Sequence, residues 1–246
     1  MFVRDAVFYD NIVVVGGGCY GSYYLRQLER ARVADAIAYG RVTVVDRDRN
    51  CAVSTIDADV TLVIADWSDF FATYLAASTT ESRDAIVPSP LMPHLMYLWL
   101  LDRARARWVG RDVGTIPLTT QPDTPWERAA PDGTHYVSFA TWECPINCIE
   151  PKRCPHTRGQ RDWTMPEAAR QIVARSGMAE GALVGPVIFH CTHRAFGVGM
   201  FDTRDVVAAD EFVRTAAAES AADVLVGTVS HCHGALNVLH VGAKTA

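Results

Sequence analysis

The sequence lacks the features that would mark a secreted, membrane-spanning or nucleic-acid-binding protein. The first ten residues carry Arg4, Asp5 and Asp10 and no long apolar run, so we expect no signal peptide and a cytoplasmic location. The longest apolar stretch, residues 95–101, is far shorter than the ~20 residues that cross a bilayer. The formal net charge of −5 gives no general attraction to nucleic acid or anionic membranes, so we expect a small-molecule substrate instead.

The composition is that of an ordinary globular chain. Hydrophobic residues make up 49% of the 246 residues and charged residues 21%, which excludes a disordered or coiled-coil protein. The length suits one large domain, or a nucleotide-binding domain with a smaller appendage. The unusual feature is the number of cysteines, which is seven. Because this number is odd, the cysteines cannot all pair as disulfides within one chain.

Glycines follow the first apolar run. Residues 11–18 read NIVVVGGG, and the β-branched run predicts a buried strand that leads directly into the glycines. A helical pattern follows to about residue 36, and residues 41–46 (RVTVVD) predict a second strand ending at Asp46. The glycines between the first strand and the helix have the spacing G-x-G-x-x-G, at Gly16, Gly18 and Gly21.

This segment resembles the Rossmann dinucleotide-binding fingerprint, over residues 11–48. The resemblance implies that the glycines let the backbone and the helix N-terminus bind a pyrophosphate, and that Asp46 binds the ribose hydroxyls of NAD or another dinucleotide. Asp46 favours NAD over NADP because a carboxylate repels a 2′-phosphate, whereas Arg47 and Arg49 offset that preference. A related domain without a ligand, or one that binds S-adenosylmethionine, stays open.

The rest of the chain predicts further strands and helices. The first part continues with a strand at 60–65, a helix at 68–77 capped by Ser68, a strand at 85–87 and a helix at 91–107. Residues 120–135 are rich in turn formers and predict a linker. The C-terminal part predicts the order α-β-β-α-β-β. We therefore expect an α/β protein with a Rossmann-like doubly wound parallel sheet at 1–119, followed at 120–246 by a cysteine-rich loop and an α+β extension.

Three cysteines lie in a proline-rich loop with the spacing C-x3-C-x5-C, at Cys144, Cys148 and Cys154. The prolines exclude a regular helix there, and in a reducing compartment clustered thiols favour a metal centre over disulfides. The loop is similar to iron–sulfur loops and lacks the C-x2-C hooks common in zinc sites. A 4Fe-4S cluster, zinc and a metal-free loop stay open, with Cys191, Cys232, His156, another chain or an open position as the fourth ligand of a cluster.

Two turns carry a cysteine flanked by histidines, in residues 190–193 and 231–233. A right-handed crossover between the strands beside the intervening helix predicts that the two turns lie at opposite ends of one sheet. A histidine in either turn, His193 or His231, is a candidate catalytic proton donor, since imidazole titrates near neutral pH.

The function that combines these features is an oxidoreductase with a dinucleotide site and an iron–sulfur centre, or an enzyme that binds its small substrate on an open iron. A second hypothesis is a non-enzymatic regulator, because the N-terminal half also resembles the NAD-sensing domains of potassium-transport regulators. A third is a dehydrogenase that uses NAD and is stabilised by zinc. The C-terminal hairpins also predict a homodimer formed by edge-to-edge pairing.

Overall fold

A computed structural model describes residues 7–56, 59–145, 148–177 and 182–244. The protein is a mixed α/β chain that divides into two compact units, each with its own sheet. The first unit takes the described residues within 1–92, 146–149 and 192–207, and the second takes those within 93–145, 150–191 and 208–246. The predicted boundary between residues 119 and 120 lies inside the second unit.

The elements follow one another in this order: β1 Phe8–Val15, α1 Cys19–Val33, β2 Ala38–Asp46, a short 3-10 helix Ala52–Thr55, β3 Thr61–Ile64, α2 Trp67–Ala76, β4 Ala85–Val87, α3 Leu95–Arg107, β5 Val113–Ile116, β6 Trp126–Ala129, β7 His135–Ser138, α4 Met165–Ser176, β8 Leu183–His190, β9 Thr192–Ala195, β10 Val198–Asp202, α5 Thr203–Ala216, β11 Ala222–Val229 and β12 His233–Val241. None of these helices is long and apolar enough to cross a membrane, within the residues described above.

The sheet of the first unit has the strand order β3-β2-β1-β4-β10-β9. Its first four strands are parallel, and Val14 on β1 lies opposite Val44 on β2 and Val87 on β4. These positions are fully or almost fully buried, as expected for the β-branched runs of a parallel sheet. β10 pairs antiparallel with β4, and β9 pairs antiparallel with β10.

The sheet of the second unit has the order β6-β7-β12-β11-β8, and β5 also pairs with β12. β8 and β11 are parallel, whereas β12 is antiparallel to β5, β7 and β11. Helix α4 contributes Met165, Ala169 and Ile172 to the core of this unit, with Leu225 and Leu236 from the sheet.

Most elements lie where the sequence predicted them, and the exceptions have local causes. Helix α2 is capped by Asp66, whose carboxylate accepts the Ser68 N–H at 2.8 Å, so the N-cap is Asp66 and not Ser68. Gly40 does not stop α1, which ends at Val33; it lies inside β2, where a Cβ would come within 2.9 Å of the Asp10 carbonyl oxygen. The predicted linker contains the short strand β6, which the sequence did not predict and which pairs antiparallel with β7.

Candidate functional site

The glycine loop between β1 and α1 is shaped by two glycines that no other residue can replace. Gly16 has φ +91°, and its N–H donates to the Val45 carbonyl oxygen at 2.9 Å. A Cβ on Gly21 would lie 2.0 Å from the Gly16 carbonyl oxygen, so only glycine allows α1 to start this close to β1. The loop therefore brings the N-terminus of α1 to the carboxyl end of β1.

Gly18 differs from these two glycines. It is the N-cap of α1 with φ −76°, which any L-residue can adopt, and a Cβ there would meet nothing within 4 Å. Neither backbone conformation nor packing within the chain requires a glycine at this position. The backbone at Gly18 is consequently open to approach from outside.

Asp46 ends β2 beside this loop and holds it in shape. One carboxylate oxygen accepts the Gly17 N–H at 2.7 Å and the other accepts the Asp48 N–H at 2.9 Å. Beneath the loop lies the Cys51 thiol, which is close enough that a Cβ on Gly17 would be 2.4 Å from its sulfur. The sequence placed Asp46 at the ribose; the hydrogen bond to Gly17 is a further role that the spacing did not indicate.

A cavity of about 220 Å³ opens at the same edge of the sheet, and the side chains around it come from the loops after β2, β3 and β4: Arg47, Asp66, Trp67, Ser68 and Met92. The Trp67 indole N–H donates to the Val45 carbonyl oxygen at 3.0 Å. Its Cζ2 lies 3.3 Å from where a Cβ on Gly16 would be, so the ring borders the glycine loop. Residues at this edge are the ones that ligands contact in open α/β sheets.

The three cysteines of the predicted metal loop are distributed over both units. Cys144 and Cys154 belong to the second unit and Cys148 to the first. Among the residues that the structure describes, no three His, Cys, Asp or Glu side chains are grouped to hold a metal ion. The metal centre thus stays a prediction from the spacing.

Cys154 lies in a closed turn of the second unit. Its N–H donates to the Gly159 carbonyl oxygen at 2.9 Å, and the Arg158 N–H donates back to the Cys154 carbonyl oxygen at 2.8 Å. Desolvation raises the pKa of the Cys154 thiol, but hydrogen bonds from Thr157 and the His156 backbone, with the Arg161 charge, outweigh it and lower the pKa overall. The turn therefore favours a thiolate, which is the form that binds metals.

The turn between β11 and β12 receives a carboxylate that the sequence analysis did not single out. Glu150 accepts hydrogen bonds from the Ser230 hydroxyl at 2.7 Å, the His231 N–H at 2.9 Å and the Cys232 N–H at 3.2 Å. The backbone of Glu150 has φ +49°, and these three bonds fix it there. Glu150, which lies between Cys148 and Cys154, thereby attaches the cysteine loop to this turn.

The predicted separation of the two histidine-flanked turns is wrong for His190 and Cys191. β10 and β11 belong to different sheets, so the crossover that the prediction assumed between them does not exist. Instead β8 and β11 are parallel neighbours, with His190 opposite Val229 and the Cys191 N–H donating to the Val229 carbonyl oxygen at 2.7 Å. Both chain segments thus leave the second sheet at the same edge.

The two histidines predicted as proton donors lie in different units. His193, on β9 of the first unit, has its Nδ1 3.0 Å from the Gly197 carbonyl oxygen, which makes Nδ1 the protonated nitrogen. His231, in the second unit, is held through its backbone N–H by Glu150. Their roles in catalysis stay predictions.

His233 is the histidine whose environment defines its state most clearly. Its Nδ1 lies 2.9 Å from the Ser138 hydroxyl, which itself donates to the Ala140 carbonyl oxygen. A hydroxyl has one proton, so His233 donates from Nδ1 and Nε2 is the unprotonated nitrogen. Burial lowers the pKa of His233, with the nearby Glu150 charge opposing the shift and the Arg161 charge adding to it.

We expect His233 to make the protein less stable in mild acid. Its pKa is lower in the folded than in the unfolded chain, so the unfolded chain binds the extra proton first. The contribution of His233 is complete above pH about 6.5 and is lost as the pH falls, by at most about 1.4 kcal/mol per pH unit for one proton. Urea unfolding between pH 5 and 7.5 measures this slope, and His233→Gln should flatten it. An NMR titration midpoint at or above 6.5 for His233 would contradict the expectation.

The chain matches a known protein family over most of its second half. The family model described as "AF_1314_C: Uncharacterized protein, C-terminal domain" covers residues 96–242, more than half of the chain, from the first turn of α3 to just beyond β12. No curated protein and no solved structure matches the chain. The match covers all six strands of the second sheet. The chain belongs to the AF_1314_C family.

Proposed function

We propose that the first unit binds a nucleotide through its diphosphate at the glycine loop. The observation that carries this proposal is the open space at Gly18, where packing within the chain does not require the absence of a side chain. A ligand that approaches the main chain closely gives a reason for a residue without a side chain at this point.

The surroundings of Gly18 support an anionic ligand. The N-terminal turn of α1 contains no acidic residue, and its first N–H groups point toward the loop. The four parallel strands in the order β3-β2-β1-β4, with glycines after β1 and an acid at the end of β2, support the proposal because nucleotide-binding halves of Rossmann folds have these features.

Side chains at Gly18 should block ligand binding without unfolding the protein. We expect Gly18→Ala to weaken the binding of ADP or NAD by roughly tenfold, and Gly18→Val to abolish it, because the Cβ occupies the approach to the backbone. Isothermal titration calorimetry measures the affinity, and the thermal midpoint reports folding. Gly114→Ala is the matched control, since a Cβ there also meets open space but lies on β5 of the second unit. Unchanged affinity in Gly18→Val would contradict the proposal.

We further propose a metal centre at the cysteine loop, with an iron–sulfur cluster as the first candidate and zinc as the alternative. The turn around Cys154 supports a thiolate ligand, since two backbone groups and a guanidinium stabilise the charged sulfur. Anaerobic purification should give iron and sulfide in fixed ratio to the protein, and Cys154→Ser should lose them. Cys19→Ser is the control, because Cys19 is an exposed thiol of the glycine loop. If the protein contains zinc but no sulfide, the zinc site is supported and the iron–sulfur cluster is not. A metal-free protein would contradict both the cluster and the zinc site.

A nucleotide site combined with an iron–sulfur centre is the basis for the oxidoreductase prediction. His193 and His231 are its predicted proton donors. Oxidation of NADH by the anaerobically purified protein, followed at 340 nm with artificial electron acceptors, tests this activity. The absence of turnover together with tight nucleotide binding would favour a regulatory protein.

A further inference from the structure

We propose that the ligand of the first unit is a mononucleotide, namely an adenosine diphosphate group, and not a complete dinucleotide. The proposal rests on the proposed nucleotide site and names its ligand; if it holds, the NADH oxidation described above does not take place at this site. Dinucleotides bind across two mononucleotide-binding halves, which lie on either side of the point where the strand order reverses. The first unit supplies only one of these halves.

Strands β1, β2 and β3 supply the parallel strands of one half, with helix α1 between β1 and β2 and the short 3-10 helix Ala52–Thr55 between β2 and β3; helix α2 follows β3. On the other side of β1 lies β4, and the next strand is β10, which runs antiparallel to β4. β9 and β10 form a hairpin around Phe196 and Gly197 instead of a strand–helix–strand unit. Helix α5 begins directly after β10, but because β10 is antiparallel to β4, the N-terminus of α5 lies at the opposite end of the sheet from the glycine loop. A second nucleoside would therefore find no helix N-terminus at the end of β10 nearest the glycine loop, in the described part of this unit.

The size of the cavity agrees with this topology. Its volume of about 220 Å³ is below the roughly 300–1,000 Å³ of pockets that enclose drug-sized ligands. It is lined by residues that follow β2, β3 and β4, with Trp67 bordering the glycine loop, and one base and one ribose would extend into it from a diphosphate held at Gly18. The space therefore suits half of a dinucleotide.

Trp67 provides a flat surface for the base. The hydrogen bond from its indole N–H to the Val45 carbonyl oxygen fixes the ring, and the ring is only partly buried. Nucleobases stack on exposed aromatic rings, and this stacking contributes to affinity whichever sugar the base carries. The indole borders Gly16, two residues before Gly18, so a base stacked here would lie close to a diphosphate at Gly18.

Two neighbours of Trp67 suit an adenine base. Asp66, whose carboxylate accepts the Ser68 N–H, lines the cavity, and a carboxylate accepts hydrogen bonds from an exocyclic amino group, which adenine has and uracil lacks. The Arg47 side chain is exposed at the same rim, where its planar guanidinium can cover the second face of the ring. We infer that adenine lies between Trp67 and Arg47.

Calorimetry with four ligands tests the mononucleotide: ADP, NAD, UDP and inorganic pyrophosphate. We expect ADP to bind at least as tightly as NAD, and about tenfold or more tightly than UDP or pyrophosphate. Tenfold tighter binding of NAD than of ADP would overturn the inference and leave the proposed nucleotide site intact. If none of the four binds, the proposed function itself fails, so the two failures are distinguishable.

Variants of the cavity test the position of the base. Trp67→Leu should weaken ADP binding roughly tenfold and leave pyrophosphate binding unchanged, whereas Trp67→Phe should keep most of the affinity. Trp126→Leu, a partly exposed tryptophan on β6 of the second unit, is the matched control. Unchanged ADP affinity in a folded Trp67→Leu protein overturns the inference. If the Trp67→Leu variant does not fold, Arg47→Ala provides the test, because an exposed arginine can be removed without loss of the fold. Unchanged ADP affinity in Arg47→Ala then overturns the inference.

Discussion

Gly21→Ala is expected to lower the free energy of unfolding by about 3 kcal/mol or more, a large effect for a single methyl group. The added Cβ would lie 2.0 Å from the carbonyl oxygen of Gly16 and 3.0 Å from its carbonyl carbon. Both atoms belong to the backbone, so no side chain can turn away to make room. Relief requires α1 to move away from β1, which opens the core beneath Leu25 and Leu28.

Urea denaturation followed by circular dichroism measures this change. Gly18→Ala is the matched control, three residues earlier in the same loop, and should cost less than about 1 kcal/mol because its Cβ meets open space. Equal stability losses in the two variants would contradict the contact with Gly16 as the cause, since the higher helix propensity of alanine would by itself stabilise α1.

Arg111→Met is expected to destabilise the second unit by about 3–5 kcal/mol. The Arg111 guanidinium donates to three carbonyl oxygens, those of Gly242 at 2.6 Å, Ala217 at 2.6 Å and Ser220 at 2.7 Å. These carbonyls lie after the last residues of α5 and β12, beyond the regular hydrogen bonds of the helix and the strand. The guanidinium also lies 5.3 Å from the centre of the Trp108 ring. Methionine keeps the apolar stem and leaves all three carbonyls without this donor.

A second substitution tests whether the positive charge of Arg111 or the geometry of its guanidinium stabilises the second unit. Arg111→Lys keeps the positive charge but has a single ammonium group that cannot reach three divergent carbonyls, so it should recover only a small part of the loss. Arg214→Met is the control, because this arginine of α5 forms an exposed ion pair with Glu211 one turn away, and its loss should leave the unfolding curve unchanged. Full recovery by lysine would contradict the role of the three hydrogen bonds.

The parts of the fold that the sequence predicts are those encoded by neighbouring residues. The β-branched run before Gly16 and the pattern of the C-terminal part predicted β1, β8, α5 and β11 within a few residues. Pairing between distant segments was not predictable in this way. The residue pattern of Val198–Asp202 predicts a strand but suits an edge of either sheet. The pattern therefore does not show that β10 pairs with β4.

The candidate sites show the same division. The spacing of Gly16, Gly18 and Gly21 indicated the glycine loop, because each glycine acts within a few residues of the others. The contact of Glu150 with the turn at His231 joins segments that are 81 residues apart. A single glutamate between two turn-forming segments carries no local signal for such a bond, so only the folded chain identifies it.

The strand order of the first sheet also has a consequence for how the chain folds. Its last two strands, β10 and β9, come from residues 192–202, more than a hundred residues after β4. During synthesis the outer edge of β4 is therefore exposed while the whole cysteine loop and β8 are being made. A three-residue edge strand with alanine, isoleucine and valine is too short to recruit another chain efficiently, which protects the nascent protein against edge-to-edge aggregation. The late arrival of β10 makes completion of this sheet a slow, non-local step, so we expect folding to be limited by the closure of this long loop.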